Sequence, residues 1–77
     1  MKKIEIYEIK INKSIKTIKV YQTPKINIYT LVYDNYNNPV YIKCDSFDIY
    51  NNSMKIYLNN EMIAMITFDS IRRIYNE

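Results

Sequence analysis

The chain contains no glycine, no histidine, no tryptophan, one cysteine and two prolines in 77 residues. Each absence excludes a class of chemistry. Without glycine, neither a P-loop nor a dinucleotide-binding fingerprint can be written. Without histidine the commonest general base is missing, and most catalytic triads go with it. A lone thiol, Cys44, permits no internal disulfide, and without histidine beside it the usual tetrahedral zinc sets cannot be assembled. No apolar run is long enough to span a bilayer, and charge at Lys2, Lys3 and Glu5 interrupts the stretch where a secretory signal needs an apolar centre. The expectation is one small cytoplasmic domain over residues 1–77. It is not an enzyme, has no cofactor or metal site, meets no membrane and takes no small-molecule substrate.

What is present is skewed. Ile, Asn, Lys, Tyr, Met and Phe supply 49 of the 77 residues, whereas Gly, Ala, Arg and Pro together supply five. The first group is encoded by A/T-rich codons and the second by G/C-rich ones, so the skew reads as mutational pressure in an A/T-rich genome. The net charge of +3 and the nine tyrosines are therefore partly background, although both are features of nucleic-acid binders.

Strand formers dominate, and short polar clusters punctuate them. Six strands are expected, at 4–11, 15–21, 26–33, 40–50 (with a kink near Cys44-Asp45-Ser46), 54–58 and 62–68. Asn12-Lys13-Ser14, residues 34–39, Asn51-Asn52 and Asn59-Asn60 form the turns. Asparagine tolerates positive φ best after glycine, so the two Asn-Asn pairs are the clearest hairpin signals. Asp69 is read as the N-cap of a short C-terminal helical turn leading to Ile71 and Ile74.

Apolar parity changes between Ile4/Ile6 and Ile9/Ile11, which calls for a β-bulge or a change of buried face near Tyr7-Glu8. The spacing of Ile11, Ile15 and Ile18 also fits one face of a helix, leaving residues 8–20 open between strand and helix. The expected core is Ile4, Ile18, Val20, Ile28, Val32, Val40, Ile42, Phe47, Ile49, Ile56, Leu58, Ile63, Ile66 and Phe68.

Three constellations bear on function. Lys10, Lys13, Lys16 and Lys19 recur every third residue, which on one strand would put Lys10 with Lys16 and Lys13 with Lys19 on opposite faces. Tyrosines at 21, 29, 33, 41, 50 and 57 could stack on bases if several shared an open sheet face beside cations, or could anchor a protein interface. Asp45 and Asp48, with Asp69 or Glu61 brought near, could hold a hard cation, but carboxylates at such spacing ordinarily cap turns. Arg72 and Arg73, the only arginines, offer planar forks for a carboxylate or phosphate.

The segment from Val40 through Asp45-Ser46-Phe47-Asp48 to Ile49, followed by Met54-Lys55-Ile56-Tyr57-Leu58, a turn, and Met62-Ile63-Ala64-Met65-Ile66, resembles a pattern in small uncharacterised β-rich proteins of bacteria, phages and mobile elements. The resemblance covers about a third of the chain. Asn51-Asn52 and Asn59-Asn60 replace the turn glycines. It implies a compact β-meander or small barrel. It also suggests an inhibitor or adaptor that occupies a surface on a defence or regulatory protein, as anti-CRISPR proteins do.

The resulting expectation is an all-β fold, a bent antiparallel sheet or barrel of five to six strands with a short C-terminal helical turn. Its function is that of a non-enzymatic protein-binding module, a homodimer or a complex with a protein partner, using Tyr29, Tyr33, Tyr41, Tyr57, Arg72 and Arg73. The alternative is a single-stranded nucleic-acid binder using Lys10, Lys16, Tyr21 and Tyr29.

Overall fold

A computed structural model describes residues 2–25, 27–34 and 38–77. Eight strands form in chain order: β1 (Lys2–Ile11), β2 (Ser14–Gln22), β3 (Tyr29–Tyr33), β4 (Val40–Cys44), β5 (Ser46–Tyr50), β6 (Ser53–Leu58), β7 (Glu61–Thr67) and β8 (Ser70–Asn76). They make two antiparallel sheets, β4-β3-β2-β1-β8 and β5-β6-β7. Each sheet keeps two edges, so the ladders do not close into a barrel.

Three hairpins share one device. Asn12-Lys13, Asn51-Asn52 and Asn59-Asn60 each connect paired strands as two-residue loops, with φ between 48° and 68° at both positions. That is the primed turn whose twist matches the flanking strands. Asparagine takes the place glycine would normally hold. The first loop is one residue shorter than the sequence suggests, because Ser14 already pairs with Ile11.

The kink expected near residues 44–46 is a break between sheets. At Asp45 the chain leaves β4 for β5, and the Asp45 N–H turns to the Tyr57 carbonyl at 3.1 Å. A second corner lies at Phe68-Asp69, where the Phe68 N–H reaches the Asn52 carbonyl at 3.0 Å and the Asp69 N–H reaches Lys10 O at 2.7 Å. No helical turn follows. Asp69 does not cap a helix, and residues 70–76 pair with β1 as an edge strand. Strand pairing of Ile11, Ile15 and Ile18 across the β1–β2 hairpin likewise removes the helical alternative for residues 8–20.

The core lies between the sheets. Tyr7, Ile9, Ile18, Val20, Leu31, Cys44, Met54, Ile56 and Phe68 are buried, and Ile4, Ile42, Phe47, Ile49 and Ile66 pack against them. Five expected core positions fall outside this cluster, among them Ile28, half-buried just ahead of β3. In β3 it is Leu31, between Val20 and Ile42, that points inward. Val32 therefore lies on the outer face between Lys19 and Tyr41. Val40 is exposed at the start of an edge strand, and Leu58 is only half-buried beside its turn. Ile63 is the extra residue where the β6–β7 register shifts from Ile56↔Ala64 to Tyr57↔Met62. That bulge turns it out to solvent.

The bulge expected in β1 exists but lies earlier. Against β2 the register shifts between Lys3 and Glu5, where Ile4 is the extra residue, while the shift against β8 at Ile6/Tyr7 inserts Ile74 in β8. Ile4 and Tyr7 can thus both reach the core although their parity differs. Of the expected turn at residues 34–39, positions 35–37 lie outside the described residues, as does Ile26 at the expected start of the third strand.

Candidate functional site

The expected contact residues do not form one patch. Tyr29 and Tyr33 stand on the inward face of β3. Tyr29 is half-buried and meets Phe47 edge-on at 6.2 Å, and the Lys16 ammonium lies 5.8 Å from the centre of the Tyr33 ring. Tyr41 projects from the opposite face of the same sheet and is 69% exposed. Tyr57 is half-buried on the outer face of the three-stranded sheet, opposite Ser46 and Met62.

Arg72 and Arg73 alternate across β8. The Arg72 guanidinium donates to Glu8 Oε1 at 3.2 Å on the outer face, while Arg73 sits opposite Tyr7 and acts on the charge of Glu5. Lys10 and Lys16 also part company. They belong to different strands, and because Lys10 pairs with Ile15 and Lys16 with Ile9, they fall on opposite faces. Tyr21 shares the outer face with Lys10.

The carboxylates serve turns. Asp45 Oδ2 accepts the Asn59 N–H at 2.9 Å, and Asp69 Oδ2 accepts the Asn12 N–H at 3.0 Å. Each corner residue thereby fastens the tip of a hairpin, satisfying a turn N–H that has no ladder partner. Asp48 stands opposite Lys55. Among the described residues no group of three potential metal ligands converges. Cys44 is fully buried, and burial, with the Asp45 charge nearby, pushes its thiol up to about 11, far from a nucleophile's range.

Glu5 is the exception among the acids. Its Oε2 is buried with no hydrogen-bond partner among the described residues, at a hollow of about 230 Å³ that it lines with Tyr29 and Phe47. Desolvation raises its pKa, and the Arg73 charge offsets this only in part.

The strand expected at 62–68 is β7, and what sequence reasoning missed is that it forms an exposed edge. Among the described residues it pairs with β6 alone, which leaves one side of its backbone as an open edge. Edge strands ordinarily carry charge to discourage pairing with other chains. Here β4 carries Lys43, β5 carries Asp48, and β8 carries Arg72 and Arg73, but β7 is uncharged after Glu61. On that edge Met62, Ile63 and Met65 are 50%, 45% and 52% exposed. The bulge at Ile63 leaves Ala64–Thr67 as its regular part. The run without charge from Met62 to Phe68 was visible in the sequence, but Ile63, Ile66 and Phe68 within it were expected in the core.

Comparison with protein-family models, with curated proteins and with solved structures gives no match to this chain.

Proposed function

We propose that the chain is a non-enzymatic protein-binding module that recognises another β-sheet by strand addition to the free side of β7, with a second copy of itself as partner. One observation carries this. Of the four sheet edges among the described residues, β7 alone is free of charge along most of its length, from Met62 to Thr67, while exposing large apolar side chains. Strand addition draws affinity from main-chain hydrogen bonds and specificity from alternate side chains, and flexible methionines adapt well to such surfaces.

Self-pairing suits this edge electrostatically. In an antiparallel pair with its two-fold near Met65, the two Glu61 carboxylates stand at opposite ends of the ladder. A parallel pair would set them side by side, which is unfavourable. With nine buried apolar residues among those described, a domain this small also has stability to gain from burying further apolar surface. In the inhibitor or adaptor role suggested by the resemblance over residues 40–66, the same edge would lie against the target, and the dimer would be its resting state.

Sedimentation equilibrium across micromolar to hundreds-of-micromolar protein tests this. The wild-type chain should form a concentration-dependent dimer, and Met65→Lys, which places a charge on the edge, should weaken it at least about tenfold (roughly 1.4 kcal/mol) without unfolding the monomer. A monomer throughout, or a dimer indifferent to Met65→Lys, would falsify the proposal.

A further inference from the structure

The outer face of the five-stranded sheet carries a different chemistry from β7. Strand register arranges its side chains in rows. In one row Tyr41 of β4 and Tyr75 of β8 stand at the two ends, with Lys19 between them. In the next, Tyr21 lies between Lys43 and Lys3. The Lys3 ammonium sits 5.2 Å from the centre of the Tyr75 ring, tying the two rows together. Lys10 lies farther along β1 on the same face.

Charge on this face is one-sided. Its cations are Lys3, Lys10, Lys19, Lys43 and Arg72, and its carboxylates are Glu8, which Arg72 engages at 3.2 Å, and Asp34. The whole chain carries only +3, and the outer face of the three-stranded sheet sets Lys55 directly opposite Asp48. Positive charge is thus gathered on one side of the molecule, complementary to a polyanion.

The same face has places for bases. Tyr21 and Tyr41 flank a hollow of about 390 Å³ with Val32 and Thr30 beneath it and Lys19 and Asp34 beside it. That volume lies at the small end of ligand-sized sites. Four interstrand steps separate Tyr41 from Tyr75, roughly 19 Å, a track for a few nucleotides. Phenol rings on a sheet can meet only bases that are not paired and stacked within a duplex. Nor do the described residues supply a helix to enter a duplex groove.

We infer that the outer face of the β4-β3-β2-β1-β8 sheet binds single-stranded nucleic acid, with Tyr41 and Tyr21 stacking on bases and Lys3, Lys19 and Lys43 meeting phosphates. The surface shares no strand with β7, so failure of dimerisation leaves it standing, and its own failure leaves the β7 proposal untouched.

Fluorescence anisotropy of a labelled oligothymidylate of about 12 nucleotides tests the inference on the full chain. Neutralising three or four phosphates predicts affinity falling roughly 20- to 50-fold between about 50 and 200 mM salt. Tyr41→Ala removes an exposed ring the core does not use, and it should weaken binding about tenfold or more. Lys43→Ala should flatten the salt dependence by about 0.7 in the logarithmic slope. No anisotropy change at the lower salt with about 100 µM protein overturns the inference. So does undiminished binding by Tyr41→Ala, or a duplex of the same length held as tightly as the single strand.

Discussion

The Asp69 carboxylate accepts the backbone N–H of Asn12 at 3.0 Å, across a separation of 57 residues. The bond joins the corner between the two sheets to the tip of the β1–β2 hairpin. Asp45 does the same for the β6–β7 turn through Asn59, at 2.9 Å. Removing either carboxylate leaves a strained turn without its anchor. Asp69→Ala and Asp45→Ala should each cost about 1 kcal/mol, a fall in Tm of roughly 4–8 °C for a domain of this size. The two sites share no partner, so the double variant should show the sum in thermal denaturation.

Lys13 is the one residue of the three hairpin loops that is not asparagine, and it sits at φ 68°. A side chain with a Cβ pays for that conformation, whereas glycine does not. Lys13→Gly should therefore raise stability by about 0.5 kcal/mol after the extra freedom of the unfolded chain is subtracted. Chemical denaturation should show a higher midpoint with an unchanged slope.

Burial raises the Glu5 pKa above its ordinary value of 4.5. The folded state thus binds this proton more tightly than the unfolded state. Its contribution to stability is fully present below the ordinary value and is lost as pH climbs through the raised one. Glu5→Gln removes the charge that burial penalises. The variant should melt above the wild type at pH 7, and the gap should close as the pH falls toward about 4, in parallel thermal melts.

With its thiol buried and pushed up to about 11, Cys44 should be inert toward a disulfide reagent at neutral pH. One equivalent of thiol should appear only in denaturant. Fast labelling of the native protein would show that the β4–β5 corner opens readily.

The turns were legible in the sequence because their cause is local. Asn51-Asn52 and Asn59-Asn60 state their own φ preference, and the alternation of Met54, Ile56 and Leu58 follows from residues two apart. What escaped depends on distant partners. The last strand has arginines at its centre and almost every residue exposed, so only β1, 64 positions away at the Glu8–Arg72 pair, makes it a strand. Val32 and Leu31 are equally apolar, and their facing is decided by pairing with Val20 and Ile42. Ile63 reads as core because nothing local signals that no ninth strand lies beyond β7 among the described residues. The tyrosines and arginines were expected to act together as contact residues. Their sorting onto opposite faces came from register alone.

The most direct test of β7 as the recognition edge is residue-resolved amide hydrogen exchange at low and high protein concentration. Amides of Ala64–Thr67 that point away from β6 should exchange freely in dilute solution and become protected as the second copy pairs with them. Equal exchange at both concentrations, in a sample that remains folded, would contradict the account.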